Sequence, residues 1–138
     1  MFRSRPRDPE ILEHLGQFHR EDPRLWYDQY EKAYRVRART APQKGTRFEL
    51  AEPQFWRMVI RAGGRCEMTG QPFDRFYRGP TGKHPFIPTI DRINPVGDYT
   101  SENCQLVTWI SNVAVCDFGR AAYLEMVRYG MMGLAAAD

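Results

Sequence analysis

Little in this sequence offers a covalent or metallic clip. Its three cysteines, Cys66, Cys104 and Cys116, form no C-x-x-C pair, which argues against a disulfide framework and against a complete zinc site. Long apolar runs are missing as well. The longest uncharged stretch, Asn103 to Cys116, spans 14 residues and contains Asn, Gln, Thr and Ser, short of the ~20 apolar residues of a bilayer span. No membrane association is expected. The basic start MFRSRPRDPE has no apolar segment behind it, so no secretory signal is expected and cytoplasmic residence follows by default. Acids are absent from one whole stretch, Lys32 to Arg47.

What remains is an ordinary globular balance, 27% charged and 42% apolar in 138 residues, enough for one domain with a modest core. The net charge of +3 is a mild basic bias, compatible with nucleic acid. Its distribution says more. Lys32, Arg35, Arg37, Arg39, Lys44 and Arg47 follow one another without an opposing acid. Such a run reads either as a solvated helix face or as a contact for a phosphate backbone.

Asp8-Pro9 and Asp22-Pro23 are helix starts, with Asp as N-cap and Pro at the first helical position. Ile11, Leu12, Leu15 and Phe18 make an apolar stripe on the first helix, while His14 and His19 read as surface residues. Trp26, Tyr27, Tyr30 and Tyr34 make an aromatic face on the second, which could pack within the chain or against a second copy. Ala41 to Gly45 breaks that helix. Phe48 to Leu50 is extended, Glu52-Pro53 opens a third helix, and Gly63-Gly64 ends it.

Arg65 to Gly70 reads as a tight turn. Asp74 to His84 is a polar loop with Arg75, Arg78, Lys83 and His84. A strand is expected over Phe86 to Ile93, at a sheet edge because of Pro88, and a second over Leu106 to Thr108. Helices then follow over Trp109 to Phe118 and Arg120 to Tyr129, with fraying from Gly130 to Asp138.

Asp91 and Asn112 bracket the strand, loop, strand and helix start of this last region. An acid and an amide are hard oxygen donors of the kind Mg²⁺ takes, with water and substrate phosphate supplying the rest. On spacing alone the plainer reading is a strand-end Asp91 paired with Arg92 and an Asn112 that decorates a helix.

Three segments change that balance: Cys66-Glu67-Met68-Thr69-Gly70, Asp91-Arg92-Ile93-Asn94-Pro95 with Gly97, and Asn103-Cys104-Gln105-Leu106 through Asn112. In order and register they resemble the HNH endonuclease family, and Pro88 to Asn103 resembles its phage and prophage subgroup. The resemblance covers roughly residues 35 to 119. It implies an α+β protein with a small ββα-metal (HNH-like) core over 53–119, flanked by a basic helical N-terminal extension (1–52) and a C-terminal helix and tail (120–138). It implies a metal-dependent DNA endonuclease using Mg²⁺ or Mn²⁺, leaving 5′-phosphate and 3′-hydroxyl ends, with Asp91 and Asn112 as metal ligands.

The zinc-ligand positions of zinc-bearing members correspond to Cys66, Thr69, Thr108 and Ser111, so no structural zinc is expected. Arg92 stands where many members carry the general-base His, and its pKa above ~12 excludes that role; it is read as a phosphate clamp. His84 is the candidate base, with Tyr99 or a metal-bound hydroxide as alternatives. Asn103 corresponds to the Asn that orients the base and sets the loop. DNA contact is expected through Arg35, Arg37, Arg39, Lys44, Arg47, Arg75, Arg78 and Lys83, mainly to the backbone. The alternative from a different class is a catalytically inactive, nuclease-derived DNA-binding module.

Overall fold

The computed structural model describes residues 5–116 and 118–137. Residues 1–4, Asp117 in the expected helix Trp109–Phe118, and Asp138 at the end of the expected tail lie outside them. Five helices and one two-stranded antiparallel sheet make this an α+β protein.

Both Asp-Pro starts act as read. The Asp8 carboxylate accepts the Glu10 N–H and opens α1 (Pro9–Phe18), and Asp22 does the same for Arg24 at the head of α2 (Pro23–Gln43). Pro42 lies inside the last turn of α2 rather than beyond it, and Lys44 and Gly45 close the helix with bonds to the Ala41 and Pro42 carbonyls. In α3 (Glu52–Ala62) the Gln54 side chain accepts the Ala51 N–H, and Gly63 terminates the helix in the left-handed conformation at φ 61°. That conformation costs glycine nothing.

The aromatic face of α2 is spent inside the chain. Trp26 and Tyr30 are fully buried, and Tyr27 stacks on Trp56 of α3 with centroids 4.5 Å apart. This face is therefore not offered to a second copy. His19 corrects the surface reading: it stacks on Trp26 at 3.8 Å and its Nε2 lies 3.0 Å from the Tyr30 hydroxyl. An aromatic ring with one polar tip closes an aromatic cluster as well as a phenylalanine would.

The sheet pairs β1 (Pro88–Arg92) with β2 (Cys104–Thr108), with Pro88 opposite Thr108 and Asp91 opposite Gln105. The strand is shorter than the expected Phe86–Ile93 because the Phe86 and Ile87 carbonyls are taken by the Asp74 and Trp109 N–H groups. β2 runs directly into α4 (Trp109–Val115), whose first N–H groups are tied to Ile87 and Pro85 just ahead of β1. Cys116, at φ 44°, ends α4 before Phe118.

The C-terminal expectation also needs correction. α5 (Arg120–Ala137) continues through the segment expected to fray, yet buries none of its residues. No helix is long and apolar enough to cross a membrane among the described residues.

Candidate metal centre and its cationic surround

Alternation along β1 sends Thr89 and Asp91 to one face of the hairpin, together with Gln105 and Val107 of β2. Asp91 is 8% exposed. Its carboxylate accepts a 3.2 Å bond from Gln105 Nε2. No cation lies within salt-bridge distance of it among the described residues. Arg92, the expected partner on the plainer reading, turns away: its Nη1 donates to the Gly97 carbonyl at 2.8 Å and its guanidinium lies 5.1 Å from the Tyr99 ring centroid.

Burial is the largest influence on the Asp91 carboxyl and raises its pKa. The Gln105 bond, the Arg92 backbone N–H and the charges of Arg37 and Arg92 pull the other way without cancelling it. A buried carboxylate lacking an ion-pair partner is expensive to keep, and such groups concentrate where chemistry needs them.

Arg37 completes this surround from α2. Its Nη2 donates to Thr89 Oγ1 at 3.1 Å and its guanidinium lies 5.8 Å from the Tyr99 centroid. Its Nε is buried with no partner. Tyr99 is therefore a shared platform for two arginines beside Asp91, rather than a free phenol. The ring is fixed by backbone bonds of Tyr99 to Arg47 and Glu49, which add the Phe48 segment to the hairpin loop.

Asn112 follows Trp109 by three positions and so shares a flank of α4 with it. Trp109 lines a groove together with Thr89, which shares its face of β1 with Asp91. Asn112 is half-buried, and its side-chain amide makes no hydrogen bond to a described residue. An unpaired carboxylate and an uncommitted amide fit a hard divalent cation, which takes few protein oxygens and keeps water. Three or more His, Cys, Asp or Glu do not cluster anywhere among the described residues.

Asn103 has the opposite character. Its Oδ1 accepts the Asn94 N–H at 2.8 Å, and its Nδ2 donates to the Asn94 and Asp98 carbonyls at 3.1 and 2.9 Å. The amide is wholly engaged in shaping the loop. Gly97 belongs to the same arrangement, because a Cβ there would stand 2.8 Å from Asn103 Nδ2.

His84 is not among the groups around Asp91. It sits in the loop before β1 with Nδ1 3.1 Å from the Tyr77 carbonyl. A carbonyl can only accept, so that bond places the neutral ring's proton on Nδ1 and leaves Nε2 able to take one.

The remaining cations divide. Arg35, Arg39, Lys44, Arg78 and Lys83 are exposed. Arg47 lies 3.4 Å from Glu49. Arg75 is half-buried, with Nε unpartnered and the guanidinium 5.4 Å from the Phe76 centroid.

A second polar cluster sits where the turn Arg65–Gly70 meets β2 and α4. The Thr108 hydroxyl donates to Ser111 Oγ at 2.8 Å and also caps α4, and Ser111 Oγ lies 3.4 Å from the Tyr123 hydroxyl of α5. Burial pushes the Cys66 thiol up, but bonds from the Thr69 hydroxyl and from the Thr108, Met68 and Thr69 backbone N–H groups outweigh it, and the net shift is down. Thr108 and Ser111 are thus hydrogen-bonded to each other, and Thr69 and the Thr108 backbone lie where they favour the Cys66 thiolate.

Sequence reasoning missed Gln105, Thr89 and the inward turn of Arg37. Gln105 was open to inference once the two strands were paired in register. Arg37 was not, since nothing in a run of basic residues marks the one that faces the sheet. Comparison of the chain with protein-family models, with curated proteins and with solved structures finds no match.

Proposed function

We propose that the chain is a metal-dependent DNA endonuclease of the HNH type, built on a ββα-metal core formed by β1, β2 and α4. The observation that carries this reading is the Asp91 carboxylate, buried, without an ion pair, and flanked by two arginines that it does not neutralise. Stability alone gives no reason for that arrangement. Two further observations support it. The order strand, loop, strand, helix is the one that a ββα-metal core would need, with Asp91 on β1 and Asn112 on α4. Of the four positions that correspond to zinc ligands in the family, Thr108 and Ser111 are hydrogen-bonded to each other, and Thr69 and the Thr108 backbone bear on the Cys66 thiol.

Asp91 and Asn112 would hold Mg²⁺ or Mn²⁺, which supplies Lewis-acid stabilisation of charge on phosphorus and on the leaving oxygen. Arg92 and Arg37 would provide guanidinium N–H donors for the non-bridging phosphate oxygens. Gln105 fixes the Asp91 carboxylate in its rotamer. Asn103 holds the loop whose Gly97 carbonyl receives the Arg92 guanidinium at the end of β1. His84 is the protein base to test, through Nε2. Backbone contact would fall to the exposed arginines and lysines of α2 and of the 74–84 loop, which makes binding salt-sensitive.

One observation favours a DNA-binding module that does not cut. Arg92 is already committed to Gly97 and Tyr99, and no imidazole touches the Asp91 group. Conversion of supercoiled plasmid with Mg²⁺, Mn²⁺ or EDTA, beside Asp91→Ala, Asn112→Ala and His84→Ala, separates the readings. Metal-dependent cleavage lost in Asp91→Ala is the expected result. DNA retention without cleavage under every metal would leave the binding module.

A further inference from the structure

A groove of about 220 Å³ runs between α2 and the start of the hairpin, with Val36, Pro88 and Trp109 as its apolar wall and Lys32, Arg37 and Thr89 on its polar side. It is smaller than the ~300–1,000 Å³ of pockets for drug-sized ligands, so it has room for one planar group rather than a whole metabolite. No carboxylate lines it. Lys83 adds a third cation, its ammonium 5.7 Å from the Trp109 ring centroid. The Trp109 indole N–H makes no bond to a described residue, which leaves a donor free at the wall. Thr89, on the groove wall, lies two strand residues from Asp91 on the same face, or about 7 Å.

An aromatic wall, an unopposed set of cations and a small apolar slot are the chemistry of a nucleotide site: a base against the indole, its phosphate on the cations. A paired base exposes only its edges, so entry into such a slot requires a base outside the stack. We propose that this groove binds one unstacked nucleotide next to the phosphodiester at Asp91, making unpaired DNA the preferred substrate. The location relative to Asp91 rests on the nuclease reading, whereas nucleotide binding itself does not.

Trp109 provides its own probe, since Trp26 and Trp56 are buried at 0% and 6% exposure. The full-length chain in EDTA is titrated with a short oligothymidylate or a duplex of equal length. Tryptophan emission and the anisotropy of a labelled strand are read together. The expected result is quenching by the single strand and not by the duplex. Trp109→Phe should abolish the change, and the exposed Lys32→Glu should weaken single-strand affinity by about tenfold. Single-strand binding by anisotropy with unchanged emission, or equal quenching by duplex, overturns the proposal. No binding of either DNA overturns both this subsite and the nuclease reading. Quenching without plasmid cleavage removes the nuclease reading alone and leaves the nucleotide site standing.

Discussion

Two polar clusters lie at the two ends of the hairpin, and they are resolved in opposite ways. Around Cys66, Thr69, Thr108 and Ser111 the Thr108 and Ser111 hydroxyls and the Ser111 N–H bond to one another, and the neighbouring donors favour the Cys66 thiolate. Around Asp91 the buried carboxylate has Gln105 as its one side-chain partner among the described residues, and the Nε of Arg37, which reaches Thr89 on the same strand face, is buried without a partner. Burial punishes unmet polar groups by roughly 1–3 kcal/mol each, so the first cluster explains itself as structure. The second is the one that the proposed metal and phosphate would complete.

The sharpest way to break this contrast is to replace Asp91. Asp91→Asn keeps the acceptor for Gln105 but removes the buried charge. Plasmid cleavage is expected to fall on the order of 1,000-fold or more, the scale on which single pre-organised electrostatic groups act. Thermal stability without metal is expected to rise by about 1 kcal/mol, a few degrees in Tm, because the folded protein no longer holds an uncompensated carboxylate. Loss of both activity and stability would mean that Asp91 belongs with the first cluster.

The first cluster should behave in the reverse sense. Thr108→Val removes the donor to Ser111 and the cap of α4 together, and a loss of about 1–3 kcal/mol is expected in denaturant unfolding with no change in metal dependence. A second variant tests the arrangement of the four positions directly. Thr69→Cys, Thr108→Cys and Ser111→Cys, combined with the native Cys66, would present four thiols at a site now held by hydrogen bonds. Tetrahedral thiolate ligation would appear as Co²⁺ charge-transfer absorption. A protein that folds but shows no such band would separate these positions from the zinc-bearing pattern they correspond to.

How legible the two clusters were in the sequence differs for a physical reason. The helix starts, the Gly63 stop and the hairpin order were readable because Asp-Pro, Gly and β-branched residues act locally. Asp91, Asn112, Cys66 and Ser111 were singled out by the resemblance in register and not by any local signal. What they touch was not. Whether Arg92 pairs with Asp91 or with Gly97 depends on the path of the 94–103 loop, and the inward turn of Arg37 depends on how α2 crosses the sheet. Helix periodicity likewise could not tell that α5 would stay helical through Ala137 with none of its residues buried.

His19 offers a smaller test of a polar group that burial has satisfied as a neutral species. Burial pushes its imidazole down to about 4, with the charge of Glu21 opposing only weakly. Above pH 6.5 the ring is neutral in both folded and unfolded chains. Between 6.5 and about 4 the unfolded chain takes up a proton that the folded one refuses, so stability falls as pH falls through that window. The loss is expected to be about 1–2 kcal/mol after allowing for partial solvent access. His19→Phe, which keeps the stack on Trp26, should flatten that slope in unfolding curves measured at successive pH values.

The smallest effect should come from the part of α5 that neither cluster reaches. Tyr123 joins α5 to Ser111, whereas Met131 and Leu134, further along, are 66% and 69% exposed. Ending the chain after Tyr129 removes about two exposed turns of α5, but no bond to either cluster. The expected change in unfolding free energy is below about 0.5 kcal/mol, and cleavage should be unaltered. Tyr123→Phe, by contrast, touches the first cluster through one hydroxyl and should cost more than the whole truncation. If the truncation proved the costlier of the two, the exposed apolar residues of α5 would have to be covered by something in solution, and the measured molar mass of the full-length chain would then have to change with the deletion.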